Sequence, residues 1–424
     1  MSTDKNSLVT DLIDLVGQEN VITDEVALKQ YGSDRDNRDH TPFIVVRPSD
    51  PLHFKRLNFI LRRYKIDSIT PRGSGRSVNL GAYSEDFIID LTLLNKKLEI
   101  DTQNSIVVAQ AGIEYSQLQN KLKEKGFRLP IDPILNGTLG GFIASGGIGY
   151  GSLRWGSILN SLRSTTLFLS NGQIIQTGMP NVPPYSCGYN LNSLIVGSEG
   201  HFGIITEAVL EIVPMAQNSL NLLLELKPDA EIPQILTKIT QLPTISHISF
   251  YKSIQIPNEE RFHIIVRLEG FAKAIDADRS SLEKTHEITL LDPHLANTFW
   301  DTRLIDPSQI PESSAIVEAI IPVKFLTSVL KFWERFESPP IFGILMNAGI
   351  ILLHVFLPKG LSESRKNESL TEFIKKAPEF QAYPPSIGNS FKKFIECYPN
   401  FMVLKDLKPI FDKGPLLKAR KALF

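Results

Sequence analysis

Pro71-Arg72-Gly73-Ser74-Gly75-Arg76-Ser77 is the stretch on which the reading of this chain turns. It follows a short strand-like run, Ile66 to Thr70. Glycines let successive backbone N–H groups converge on an anion, a serine adds a hydroxyl donor, and two arginines add charge. A diphosphate suits that combination; a plain tight turn is the other reading of so short a stretch. It is not the dinucleotide fingerprint, because Val78-Asn79-Leu80-Gly81-Ala82 reads on as loop and not as a helix. It also lacks the Gly-Lys-Ser/Thr ending of a nucleoside triphosphate loop.

Working outward, residues 7–16 carry apolar side chains at helical spacing, 43–47 read as a buried strand, and Pro51 opens a helix over 51–64. Downstream, strands are predicted at 87–91, 97–101 and 105–109, then a helix at 115–125 closed by Gly126. Residues 131–160 are dense in glycine: Gly137, Gly140, Gly141, Gly146, Gly147, Gly149, Gly151 and Gly156. Such density outside a low-complexity tract predicts main chain lying close against something flat or bulky. Past Pro214 glycine thins and a β-α-β-β-α order occurs twice. The first copy has strands at 219–226, 247–252 and 262–268 with helices at 229–241 and 271–284. The second has strands at 314–321, 341–346 and 349–356 with helices at 323–336 and 366–376. This duplication predicts an antiparallel sheet with helices on one face.

The chain has 424 residues, long enough for two or three domains. Its 45 Lys and Arg balance 46 Asp and Glu, which removes the electrostatic case for a nucleic-acid binder. Hydrophobic residues at 42% and charged residues at 21% are those of an ordinary globular protein. Cys187 and Cys397 are too few for a disulfide framework, an iron–sulfur site or a Cys-rich zinc site. The first residues lack the basic and apolar regions of a secretion signal, and the apolar run Ile341 to Leu357 is broken by Asn347 and His354. A soluble, cytoplasmic protein is the expectation.

Read in order, these motifs resemble the FAD-binding domain of the vanillyl-alcohol oxidase (PCMH-type) flavoproteins over residues 40–215. The residues that carry the resemblance are the 71–77 loop, Asp90-Leu91, Ala111-Gly112, Leu129-Pro-Ile-Asp-Pro133 and Thr138-Leu-Gly-Gly-Phe-Ile-Ala144, then Arg154-Trp155-Gly156, Ser170-Asn-Gly-Gln-Ile174 and Val196-Gly-Ser-Glu-Gly-His-Phe-Gly-Ile-Ile-Thr-Glu207. Within that family the chain looks nearest the glycolate oxidase FAD subunit and D-lactate dehydrogenase group. The resemblance implies an α+β protein, with a two-subdomain FAD-binding domain at 1–215, a ferredoxin-like duplicated substrate or cap domain at 216–395, and a tail at 396–424 that packs back on the first domain. It implies that Arg72, Gly73, Ser74, Gly75, Arg76 and Ser77 cradle the FAD diphosphate. Thr138, Gly140, Gly141, Ser145, Gly146, Gly147 and Gly149 would run along the ribityl chain and ring, with Pro133 beside the flavin. Gly203 and Ile205 would offer backbone to the adenine end. Glu199 reads better as a structural carboxylate than as a base. His201 stands where a Thr is usual, as a plain loop histidine or a pH-sensitive contact to FAD.

Many members of the family link flavin covalently through a His in the first loop; here that place is Arg76, so non-covalent FAD is expected. Arg303, in Trp300-Asp-Thr-Arg303, resembles the arginine that meets a substrate carboxylate in the lactate and glycolate enzymes, with a surface salt bridge as the alternative. Asn347-Ala-Gly-Ile-Ile-Leu-Leu-His354 falls in register with the family's His-x-Gly-Asp-Gly-Asn-x-His run but keeps only Ala348, Gly349, Leu353 and His354. No metal site is expected from one imidazole. His354 reads either as a catalytic proton acceptor or, on an alternating apolar strand, as a satisfied core histidine. Two functions follow from the resemblance. One is an FAD-dependent oxidoreductase moving hydride from a hydroxyl-bearing substrate (a 2-hydroxy acid, a sugar or an aldonolactone) to flavin N5, with a quinone, oxygen or protein as acceptor. The other is an FAD-binding accessory subunit of a multi-subunit oxidase.

Overall fold

The computed structural model describes residues 2–32, 41–76, 87–182, 188–227, 230–252, 261–292, 296, 300, 316–336, 341–357, 360–383 and 417. Ser77, Cys187, Arg303 and Cys397 lie outside these residues.

The first sheet joins β1 (Val21–Ile22), β2 (Ile44–Val46), β3 (Ile69–Arg72) and β4 (Phe87–Asp90) in the order β1-β2-β4-β3. β2 and β3 run parallel to β4, and β2 and β4 are buried along their whole length, as parallel strands covered on both faces must be. The helix His53–Arg63 covers it by burying Phe54, Leu57, Ile60 and Leu61, one stripe at helical spacing. Leu417 is fully buried in the same cluster and bridges Ile69.

A second sheet is antiparallel: β5 (Leu98–Asp101), β6 (Ile106–Gln110), β10 (Leu162–Phe168), β11 (Ile174–Gln176) and β12 (Ile204–Glu211), ordered β11-β10-β12-β6-β5. Two short ribbons lie beside it. β7 (Phe127–Arg128) pairs with β13 (Val213–Pro214), and β8 (Asp132–Pro133) pairs with β9 (Gly149–Tyr150).

The third sheet has seven strands: β14 (Asn218–Glu225), β15 (Ile245–Lys252), β16 (Phe262–Gly270), β17 (Ile288–Leu290), β18 (Ile316–Pro322), β19 (Ile341–Asn347) and β20 (Ile350–Phe356). Their order, β17-β14-β16-β15-β19-β20-β18, sets two copies of one three-strand unit back to back across the β15–β19 pair. Every described pairing in this sheet is antiparallel, as the duplicated β-α-β-β-α order predicts. The strand β17 was not anticipated; three residues with one partner carry too little periodicity to be read.

Side-chain alternation divides the two faces of this sheet. Ile351, Leu353 and Val355 of β20 join the cluster that holds Leu236, Trp333 and Phe373 from the helices Ile232–Ile239, Leu326–Glu334 and Glu363–Phe380. Leu352 and Phe356 belong instead to a cluster with Ile134 and Tyr150 of the glycine-rich part. The helices therefore cover one face and the glycine-rich loops meet the other. Across that junction Arg128 holds Glu269 through two bonds, of 3.1 and 2.6 Å, with both side chains largely buried. A carboxylate left unpaired there would cost about 3–5 kcal/mol, so this pair fixes how the two parts meet. His247 lies at the same junction, and burial, then the Arg267, Arg128 and Arg154 charges, hold it well below its ordinary 6.5. Among the described residues no helix is long and apolar enough to cross a membrane.

Candidate FAD site and the wall above it

The 71–76 loop leaves the end of β3 and turns at Gly75, whose φ is +69°. A Cβ at Gly75 would fall 2.2 Å from an Arg72 guanidinium nitrogen, and one at Gly73 would fall 2.1 Å from the Thr138 hydroxyl. Only glycine lets this loop close on Arg72 and on Thr138 at once. The Arg72 guanidinium donates to the Tyr31 carbonyl oxygen at 3.2 Å and stacks 5.0 Å from the Tyr31 ring centroid. The Tyr31 hydroxyl in turn donates to Asp90 at 2.7 Å. Asp90 also accepts the backbone N–H and the hydroxyl of Thr92 and faces Arg47 at 3.5 Å. Burial, then the Asp90 charge and its hydrogen bond, push the Tyr31 phenol up to about 12. The loop thus rests on a polar network drawn from Tyr31, Arg47 and Asp90, residues far apart in the chain. Tyr31→Phe should weaken FAD binding by about 2–10-fold, read by quenching of flavin fluorescence on titration, because one bond to a charged acceptor is lost while the ring stays. An unchanged affinity would show that the network does not hold the loop.

Thr138 ends β-type backbone and caps the helix Leu139–Ala144, its hydroxyl accepting the Gly141 N–H at 3.4 Å. The two glycines that follow have different tasks. Gly140 donates to the Ala111 carbonyl at 2.8 Å, and its Cβ would strike the Ala111 methyl at 2.7 Å, so it packs the helix onto the end of β6. Gly141 is exposed, and its Cβ would meet nothing nearer than the Thr138 hydroxyl at 3.1 Å. The Gly197–Gly200 loop is tied to the end of the same helix by Gly197 N–H to Ile143 O and Glu199 N–H to Ala144 O. Glu199 takes a left-handed φ of +49° there, a strained setting typical of binding loops.

These loops enclose a cavity of about 240 Å³. Of the expected cofactor residues, Arg72 to Arg76 line one end, and Pro133, Thr138, Gly140, Gly141, Ser145, Gly203 and Ile205 line the rest. Gly146, Gly147, Gly149 and His201 are not in the lining. Gly147 is glycine because a Cβ would overlap the Ile158 side chain at 2.0 Å, and Gly149 because a Cβ would overlap the Asp132 carbonyl in the β8–β9 ribbon. His201 is buried at 3% exposure.

The opposite wall comes from the seven-stranded sheet: Glu318 of β18 with Leu352 and His354 of β20. Glu318 and His354 face each other in register, and the His354 Nε2 lies 2.9 Å from a Glu318 carboxylate oxygen. His354 Nδ1 is buried and makes no hydrogen bond. His354 is buried and paired with Glu318, and it also lines the cavity. Glu318 was missed. The signal was present, since one carboxylate inside Ile316-Val-Glu-Ala-Ile-Ile-Pro322 needs a buried partner; what sequence lacked was the pairing of β18 with β20. Among the described residues no three of His, Cys, Asp and Glu gather closely enough to hold a metal ion.

A wall of main chain and glycine, open where side chains would otherwise stand, and a loop built for a diphosphate fit a long, flat dinucleotide. Residues 42–178 match the family described as FAD binding domain. The glycolate oxidase subunit GlcD of Bacillus subtilis is 28% identical over 259 residues, covering 57% of this chain and 54% of that one. The D-lactate dehydrogenase of Anaerostipes hadrus is 33% identical over 159 residues, covering 37% of this chain and 33% of its own. The matched regions thus span about half or less of the length of these relatives. In fold, the chain superposes on 4-ethylphenol oxidase from Gulosibacter chungangensis with a TM-score of 0.84 at 15% identity, covering 98% and 96% of the two chains.

Proposed function

We propose that this protein is an FAD-dependent oxidoreductase acting on a hydroxyl-bearing carbon, with His354 as the proton acceptor. The observation that carries this reading is that Glu318 and His354 close the same cavity whose other wall is the FAD cradle. FAD, when bound, supplies an acceptor for hydride at N5. The chain's own residues do the rest. Glu318, 2.9 Å from His354 Nε2, orients the imidazole that would take the hydroxyl proton. The apolar side chains Ile134, Leu135 and Leu352 line the same cavity and make it a poor place for water. FAD is held without a covalent link in this reading, since Arg76 stands where the linking histidine of related flavoproteins would be. A division into 1–215, 216–395 and 396–424 belongs to the same reading; the separate hydrophobic clusters and the burial of Leu417 beside Ile69 support it.

The test is anaerobic reduction of the purified, FAD-loaded chain by a panel of 2-hydroxy acids, aldoses, aldonolactones and simple alcohols. Bleaching by any one supports the proposal. A chain that dithionite bleaches but no alcohol does, and that co-purifies with a second polypeptide, would support an accessory subunit instead. One observation favours that second reading: Asn347, at the place of the family's first histidine, is exposed at the end of β19.

A further inference from the structure

We infer that the substrate cavity selects an uncharged, largely apolar alcohol and discriminates against carboxylates, an inference that rests on the proposed oxidation of a hydroxyl group. Among the described residues, the cations lining the cavity are Arg72 and Arg76, and both sit on the diphosphate loop. FAD phosphates would claim that end. On the side of the seven-stranded sheet the lining carries Glu318 and His354, which pair with each other, and apolar groups such as Ile134, Leu135, Ile148 and Leu352 also line the cavity. Glu199 adds a second carboxylate to the lining.

An anionic substrate would shed its hydration against aliphatic carbon and bring its charge near two carboxylates. An uncharged alcohol meets none of those penalties. Its carbon skeleton gains by burial against the aliphatic side chains of the lining. The segment in register with the family's polar run supports the same view, for Ile350, Ile351 and Leu352 occupy its centre and Leu352 faces the cavity. A 2-hydroxy acid needs a cation to hold its carboxylate, and among the described residues this wall presents an aliphatic side chain, Leu352.

Benzyl alcohol and mandelate test this directly, because they differ by one carboxylate on the carbinol carbon. The full-length FAD-loaded protein is titrated with each, and binding is read from the difference spectrum of the oxidised flavin, apart from any bleaching. Benzyl alcohol should bind at least about tenfold more tightly than mandelate. Glu318→Gln should narrow that gap by improving mandelate binding. Equal or tighter binding of mandelate, the result that a carboxylate-holding Arg303 would give, overturns the inference, and so does a flavin spectrum that neither compound perturbs. Perturbation by benzyl alcohol without bleaching still supports the selectivity and sinks the redox proposal instead.

Discussion

Gly141→Leu should yield a folded protein that purifies colourless. Gly141 is the exposed glycine of the cavity helix, and its Cβ position is open except for the Thr138 hydroxyl at 3.1 Å. Its backbone is ordinary α-helix, so leucine meets no conformational penalty there, and helix propensity favours the change by about 1 kcal/mol. The side chain would project into the space that a flat cofactor requires. The expected outcome is an FAD affinity lower by a factor of about 100 or more, a loss of about 2.7 kcal/mol, with a melting temperature of the apo form within a few degrees of the parent. Flavin absorbance per mole of protein after reconstitution measures the first, and thermal denaturation the second. Retention of a full complement of FAD would mean that the ring lies elsewhere, and the account of this wall would fall. Gly140→Leu is the contrasting case. Its Cβ would strike Ala111, so loss of flavin there would be accompanied by loss of stability.

The second large effect is on chemistry. His354→Asn keeps a polar side chain but removes the nitrogen that would accept the proton, so flavin reduction by the alcohol that bleaches the parent should slow about 10²–10⁴-fold. FAD affinity should stay within about twofold, since the cradle is on the opposite wall. Because the change removes the imidazole that faces the Glu318 carboxylate at 2.9 Å, the double variant His354→Asn with Glu318→Gln separates chemistry from folding. Glu318→Gln alone should slow reduction less, because it removes only the group that orients the imidazole. Stopped-flow absorbance under anaerobic conditions reads both rates. A His354→Asn protein that bleaches at the parental rate would remove the base from the mechanism.

Much of this arrangement was written locally and could be read locally. The glycine loop 71–76, the Thr138 cap and the duplicated strand-helix order each depend on residues adjacent in sequence. Glycines were harder to assign than to find. Gly140 and Gly141 are neighbours, yet one packs on Ala111 and the other faces the cavity, a distinction that requires the helix to be docked. The Tyr31–Asp90–Arg47 network and the Glu318–His354 pair were invisible for a related reason. Each is made by elements 36 or more residues apart, brought together by sheet order, and sheet order is set by packing that no single segment encodes. The broken histidine run could be seen, but its surviving member could be placed only once Leu352 and Phe356 were known to face Ile134 and Tyr150.

Alternation along β20 has an evolutionary consequence. Ile351, Leu353 and Val355 hold the sheet to its helices, whereas Leu352 and His354 look into the cavity, so a single strand carries two messages interleaved letter by letter. Selection can rewrite the even letters, exchanging one chemistry for another, while the odd ones go on spelling the same scaffold. Insertion of one residue before Ile351 would swap the two alphabets, and with them the positions that evolution is free to try.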